Sequence, residues 1–222
     1  MKVFILGTSH AAQYLKTAIQ FHGGELDCAI FDADLIFVAE DTPTEEYGAR
    51  DQSIILDMVK RALASRHEGA QIVITSQVEP GFTRSFGVAN IFHQAETLRI
   101  KDAFERALHP EYIIVGGEDC PNFAYAQYLS SYRCPLVFGT WEDAEFSKIA
   151  VNMMLAAQVD YANALSAAAR KCGANWDKVC EALRLDKRIG PHAYLTPGRW
   201  EDSRHLLRDS VTLQKICTAE NS

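Results

Sequence analysis

Residues 141–172 read WEDAEFSKIAVNMMLAAQVDYANALSAAARKC, a run with neither glycine nor proline. Ala, Leu, Met, Lys, Arg, Glu and Gln dominate it, the residues that lose least on entering a helix. Thr140 stands where an N-cap belongs, Glu142 and Asp143 place negative charge in the first turn, and Arg170 and Lys171 place positive charge in the last. Gly173 follows in the position of a C′ glycine. The pattern predicts one helix of roughly 45–50 Å. That is longer than a small domain is wide, so the helix either links two lobes or packs against a second chain. Lys148 and Asn152 are four residues apart and share a face, with Glu145 one turn before Lys148. Two readings are open: a solvated Glu–Lys pair with a polar neighbour, or a lysine and an asparagine aimed into a site.

The remainder of the chain sets bounds. Its 222 residues allow one domain or two small ones, and 48% hydrophobic with 23% charged residues is an ordinary globular balance. A net charge of −7 with no basic stripe argues against nucleic acid or an anionic membrane as the main partner. Cysteines at 28, 120, 134, 172, 180 and 217 include no CxxC pair, and they read as reduced core thiols. His192 and His205 lack further ligands at a suitable spacing, so no metal site is predicted. No cationic segment precedes the short apolar run Val3–Leu6, and the expectation is a cytoplasmic protein without a membrane span.

Val3–Leu6 ends in Gly7 and predicts a buried strand; Thr8 to Ala12 then open a helix to about Phe21, with Tyr14, Leu15, Ala18 and Ile19 at helical spacing. A strand, a glycine turn and a helix N-terminus form the geometry that cradles a pyrophosphate. This makes Gly7, Ser9 and His10 the candidate cofactor-binding residues. The dinucleotide fingerprint wants G-x-G-x-x-G, and Gly7-Thr8-Ser9-His10-Ala11-Ala12 keeps only the first glycine. A plain strand-turn-helix therefore stands beside the cofactor reading. Further strands are predicted at 35–39, 71–76, 90–94, 112–117 and 135–139, and helices at 47–67, 120–132 and 175–183, each from its apolar spacing.

The wording AEFSKIAVNMMLA at 144–156 resembles the AE-x-x-K-(Y)-A-x-N-x-x-LA helix of the UDP-glucose/GDP-mannose dehydrogenase family. Other segments agree in the same order. ELDCAIFDADLIFVAEDTP at 25–43 is similar to that family's E-x-A-I-x-x-AD-(VI)-x-F-(IV)-AV-GTP, and SQVEPGFTR at 76–84 to its S-T-V-x-P-G-T-T-R loop. QAETLR at 94–99 resembles N-P-E-F-L-R, and Arg188-Ile189-Gly190 matches an R-I-G segment. PGRWEDSRHLLRD at 197–209 aligns without a gap to P-G-x-G-(FY)-G-G-(SH)-C-(FL)-P-K-D.

The resemblance implies an α/β fold: a truncated Rossmann-like, mostly parallel sheet in residues 1–140, then an α-helical central and dimerisation domain in residues 141–222 built on one long central helix. It also implies NAD as cofactor and site roles for Lys148, Asn152, Glu96 and Asp209. Lys148 and Asn152 would face the reacting sugar carbon, and Arg188 would reach the sugar nucleotide. A homodimer through the long helix is expected, its close approach permitted by Ala156, Ala157, Ala164, Ala167 and Ala168, and association with a full-length enzyme is a further expectation.

The departures bear on chemistry. The family oxidises a primary alcohol in two hydride transfers, with a cysteine thiolate trapping the intermediate aldehyde. Here His205 stands at the cysteine position, Arg208 at the lysine and Gln77 at the first threonine of the S-T-V loop. Only His22-Gly23-Gly24 separates the first helix from Glu25, so the second strand, its helix and the third strand are expected to be absent, leaving the first strand at a sheet edge. Asp41 replaces a turn glycine, and its carboxylate would repel a dinucleotide phosphate. The sequence thus predicts a homologue unable to perform the four-electron oxidation, acting as a dimeric pseudoenzyme or binding protein. The alternative is an oxidoreductase of altered chemistry that uses NAD and a sugar-like alcohol with Lys148, Asn152 and Asp209.

Overall fold

A computed structural model of the chain describes residues 1–98 and 101–219; Arg99, the last residue of the 94–99 motif, lies outside the described residues. Among them, six strands form one sheet in chain order: β1 (Val3–Leu6), β2 (Leu35–Val38), β3 (Gln71–Ile74), β4 (Ile91–Gln94), β5 (Ile113–Gly116) and β6 (Leu136–Gly139). Neighbours are parallel except β4 and β5, which pair antiparallel with His93 opposite Gly116. The apolar runs of β2 and β3 are buried throughout, as central strands covered on both faces require.

Alternate residues of each strand face opposite layers. On one face Ile36, Val38, Ile72 and Ile74 pack with Ile55, Val59 and Ala62 of α2 (Ser53–Ser65) and with Trp141. On the other, Leu35, Phe37, Val73 and Phe92 pack with Ile19 of α1 (His10–Phe21) and with Tyr125, Tyr128 and Leu129 of α4 (Phe123–Ser130). A short α3 (Ala103–Leu108) lies between β4 and β5 in the chain. The expected α/β class, a truncated Rossmann-like and mostly parallel sheet, is the class observed.

β1 is the sheet edge, with β2 as its one strand neighbour. Its outer side is partly covered by the chain returning from α1. The Val3 N–H donates to the Glu25 carbonyl at 2.8 Å, and the Glu25 N–H donates to the Met1 carbonyl at 3.0 Å. This single bridge shields the start of the edge from pairing elsewhere.

The helix read first in the sequence is α5 (Trp141–Cys172), with both ends where the sequence places them. Thr140 and Asp143 cap each other reciprocally: the Asp143 N–H donates to Thr140 Oγ1 at 3.2 Å, and the Thr140 N–H to Asp143 Oδ2 at 2.8 Å. At the other end Gly173 has φ +74, and the Ala174 N–H reaches the Ala169 carbonyl at 2.9 Å, the Schellman arrangement.

The chain divides into two compact units. One comprises Met1–Glu45 and Arg50–Lys148; the other comprises Glu46–Ala49 and the chain from Ile149 onward. Residues 141–148 of α5 fall in the first unit and 149–172 in the second. The second unit adds α6 (Trp176–Leu185), capped by the Asn175 side chain, and α7 (Arg204–Thr218).

Three expectations are corrected. The helix expected at 47–67 begins only at Ser53, because Gly48 takes a left-handed φ of +84 and Asp51 Oδ1 accepts the Ser53 N–H at 2.9 Å. The helix α7 is an addition to the sequence reading: its buried residues are Arg208, Asp209 and Thr212, flanked by half-buried Leu206, Leu207, Val211 and Leu213. The six cysteines are all free thiols, but Cys120, Cys172 and Cys217 are exposed rather than in a core. No described helix is long and apolar enough to cross a membrane.

Candidate functional site

The β1–α1 loop is the first candidate element. Gly7 has φ +143, and a Cβ there would lie 2.1 Å from the Ala39 carbonyl oxygen, so only glycine lets this turn press against the end of β2. Ser9, at the second fingerprint position, is buried. Its Oγ donates to the Ala39 carbonyl at 3.0 Å and accepts the Ala12 N–H at 3.2 Å, capping α1 from within. His10 is exposed at the first position of α1.

Sequence reasoning named Asp41 as the hostile carboxylate; the structure seats its neighbour on the loop instead. Glu40 Oε2 accepts the Thr8 N–H at 2.7 Å and the Thr8 hydroxyl at 3.1 Å, while Oε1 accepts the Asp41 N–H at 2.9 Å. The Glu40 N–H in turn donates to Ser76 Oγ at 2.9 Å. Residue 40 is the second past the end of β2, a position the sequence marks with a carboxylate but whose side-chain direction it does not fix.

The second cluster lies where β3, β4 and the start of α5 meet within the first unit. Glu96, just past β4, accepts from Gln77 Nε2 at 3.1 Å and from the Leu98 N–H, and its Oε2 lies 3.9 Å from Lys148 Nζ. Both side chains are largely buried, with 16% of Lys148 and 18% of Glu96 exposed. Gln77 is therefore a hydrogen-bond partner of Glu96. Glu96 also borders a mainly apolar cavity of roughly 70 Å³ beneath α1.

The solvated Glu145–Lys148 pair considered from spacing is not what forms. Glu145 is 2% exposed, and its carboxylate accepts the Gly81 N–H at 2.6 Å and the Thr83 N–H at 2.8 Å. Burial pushes its carboxyl up from the ordinary value, only partly opposed by those hydrogen bonds. Glu145 thus ties the 77–84 loop to α5, a role that spacing could not distinguish from a surface charge.

The second unit holds the other retained pair. Asp209 of α7 is fully buried, and its Oδ2 accepts from Asn152 Nδ2 of α5 at 2.6 Å. Arg208, at the lysine position, is also buried. His205 is exposed in the first turn of α7. Arg188 is exposed and folded back on Asp186, with Nη2 to Oδ2 at 2.6 Å and Nε to Oδ1 at 3.0 Å. The loop before α7 is fixed to α5: Asn163 exchanges two hydrogen bonds with the backbone of Gly198, and Trp200 Nε1 donates to Asp160 Oδ1 at 2.8 Å.

The arrangement offers two polar pairs, Glu96 with Lys148 in one unit and Asn152 with Asp209 in the other. A largely buried ammonium beside a carboxylate can polarise an oxygen or pass a proton. An amide fixed by a buried carboxylate can donate to an oxygen in a set direction. Among the described residues no group of three or more His, Cys, Asp or Glu is placed to hold a metal ion.

Residues 142–221 match the UDP-glucose/GDP-mannose dehydrogenase family, central domain. The UDP-glucose 6-dehydrogenase of Gallus gallus is 26% identical over 227 aligned positions, which cover 90% of this chain and 45% of that protein. UDP-glucose 6-dehydrogenase 1 of Glycine max is 29% identical, with 89% of this chain and 45% of that protein covered. The chain thus spans about half the length of the curated relatives it matches. The structure of a UDP-D-ManNAc dehydrogenase from Pyrococcus horikoshii superposes with a TM-score of 0.81 at 18% identity, covering 99% of this chain and 65% of that one, a likeness of fold. The matched central domain and the aligned relatives thus make the chain similar to the UDP-glucose/GDP-mannose dehydrogenases, through the central domain at 142–221 and at 26–29% identity over about 90% of its length.

Proposed function

We propose that this chain is a cytoplasmic homologue of the nucleotide-sugar dehydrogenases that does not carry out their four-electron oxidation and acts as a dimeric binding or regulatory protein. The observation that carries the reading is His205 at the position of the family's nucleophilic cysteine. A thiolate adds to an aldehyde to give a thiohemiacetal that a second hydride transfer makes into a thioester; an imidazole offers no such oxidisable adduct. The polar pairs are kept in this reading because a buried polar group left without its partner is costly.

The dimer is supported by α5. Met154 and Tyr161 are 65% and 71% exposed, and with Ala157, Ala164 and Ala168 they recur at alternating three- and four-residue steps, with Leu165, 48% exposed, beside them. Such a stripe suits a second copy of the same helix. A full-length enzyme presenting the corresponding helix is the natural hetero-partner.

NAD is the cofactor the family implies. The β1–α1 loop does not fit it as built, since the Glu40 carboxylate sits on the Thr8 N–H, and no chemical step is assigned through it. A second reading rests on the intact Asn152–Asp209 bond and the Lys148–Glu96 pair: a two-electron oxidation of a sugar-like alcohol. Turnover with NAD⁺ and UDP-glucose separates them. The first reading expects no NADH from the wild type and only a stability change in Lys148→Ala. NADH formation that disappears in Lys148→Ala overturns it in favour of the second.

A further inference from the structure

The cofactor loop carries an anion of its own. In a strand-turn-helix of this kind the free N–H groups at the helix start attract negative charge. Here two N–H groups of the turn are served from within the chain. Ser9 Oγ takes the Ala12 N–H, and Glu40 takes the Thr8 N–H and hydroxyl at 2.7 and 3.1 Å. Burial is the largest single influence on Glu40 and pushes its carboxyl up, but hydrogen bonds from Thr8, Asp41 and Ser9 together outweigh it and hold the group below its ordinary value. It is therefore an anion at neutral pH. The start of the β1 edge is likewise bridged, by Glu25 against Met1 and Val3.

We infer that Glu40 is a built-in substitute for a phosphate, which closes the β1–α1 loop of this chain to dinucleotides and to free pyrophosphate. A phosphate brought to Thr8 would displace a carboxylate from three hydrogen bonds or face it at contact distance, and like charges so placed repel. The inference deepens the reading above by naming the group that excludes the cofactor. It depends on that reading only for the choice of dinucleotide, because the geometry lies within the first unit.

The test is calorimetric titration of the full chain with inorganic pyrophosphate, for the wild type, Glu40→Gln and Glu40→Ala, with thermal unfolding of each as a check on folding. The expected result is no binding by the wild type at millimolar ligand, and binding at least roughly tenfold tighter in Glu40→Ala, with Glu40→Gln between them. Equal binding by all three overturns the inference, as does binding by none. Should Glu40→Ala not fold, the wild type still decides: its Thr8 amide resonance is expected to stay in place when pyrophosphate is added, and a shift that saturates overturns the inference. A negative turnover assay or a monomeric state leaves these outcomes untouched, so the two failures are separable.

Discussion

His93 shows how much of the chemistry sits in single residues that no motif marks. It lies on β4, is 2% exposed, and its Nδ1 is buried without a hydrogen-bond partner. Burial pushes its imidazole from 6.5 down to about 3, so the folded state keeps it neutral. The unfolded chain takes up that proton first as pH falls. The stability His93 provides is therefore complete above pH 6.5 and is lost progressively toward about pH 3. Over that window the loss is on the order of 5 kcal/mol. Urea unfolding across this range should show that slope, and His93→Leu should flatten it; an unchanged slope would place the titration elsewhere. Asn152 is the second residue-scale case. Removing its amide in Asn152→Ala leaves the fully buried Asp209 carboxylate with one donor fewer, and the expected cost is about 1–3 kcal/mol in denaturant unfolding. At this scale the sequence was informative about identity and weak on direction. It marked Lys148, Asn152, Glu96 and Asp209, and the structure pairs them two by two. It could not say that Glu40 rather than Asp41 turns toward the loop, or that Glu145 turns inward to the 81–83 backbone, because a carboxylate's spacing does not fix its rotamer.

Elements were legible where burial is apolar. The strands are short and mostly Val, Ile, Leu and Phe, with Gln71 in β3 and His93 and Gln94 in β4 as polar exceptions, and α5 advertises both caps. Thr140→Ala removes one side of the reciprocal cap and should cost about 1 kcal/mol. Gly173→Ala places a Cβ at φ +74 and should cost a similar amount, roughly 1 kcal/mol. Both are read from urea midpoints, and a neutral result at Thr140 would mean that Asp143 alone sustains the cap. The start of α2 was misread because apolar spacing continues back to Tyr47, whereas Gly48 and Asp51 dictate a turn. The helix α7 is absent from the sequence reading, which took residues 197–209 as one motif, although Leu206, Leu207, Val211 and Leu213 recur through it beside the buried Arg208, Asp209 and Thr212. Polar residues are buried there because they find partners, as Asn152 with Asp209 shows.

For the whole molecule, the sheet keeps the doubly covered core of a Rossmann-like unit while its first strand is an edge and its β1–α1 loop carries the Glu40 carboxylate on the Thr8 N–H. Residues 142–221 match the family's central domain, and His205 is exposed in the first turn of α7. The α5 stripe should hold two copies together: light scattering is expected to report a dimer at micromolar concentration, and Tyr161→Glu a folded monomer. A monomeric wild type would remove the dimer from the reading. The central claim is that the dehydrogenase architecture persists without its cofactor. Calorimetric titration of the purified chain with NAD⁺, followed by UDP-glucose, tests it most directly. The expected result is no binding of NAD⁺; micromolar affinity, about 8 kcal/mol of binding free energy, would contradict the claim and turn attention to the alcohol that Lys148 and Asn152 would then serve.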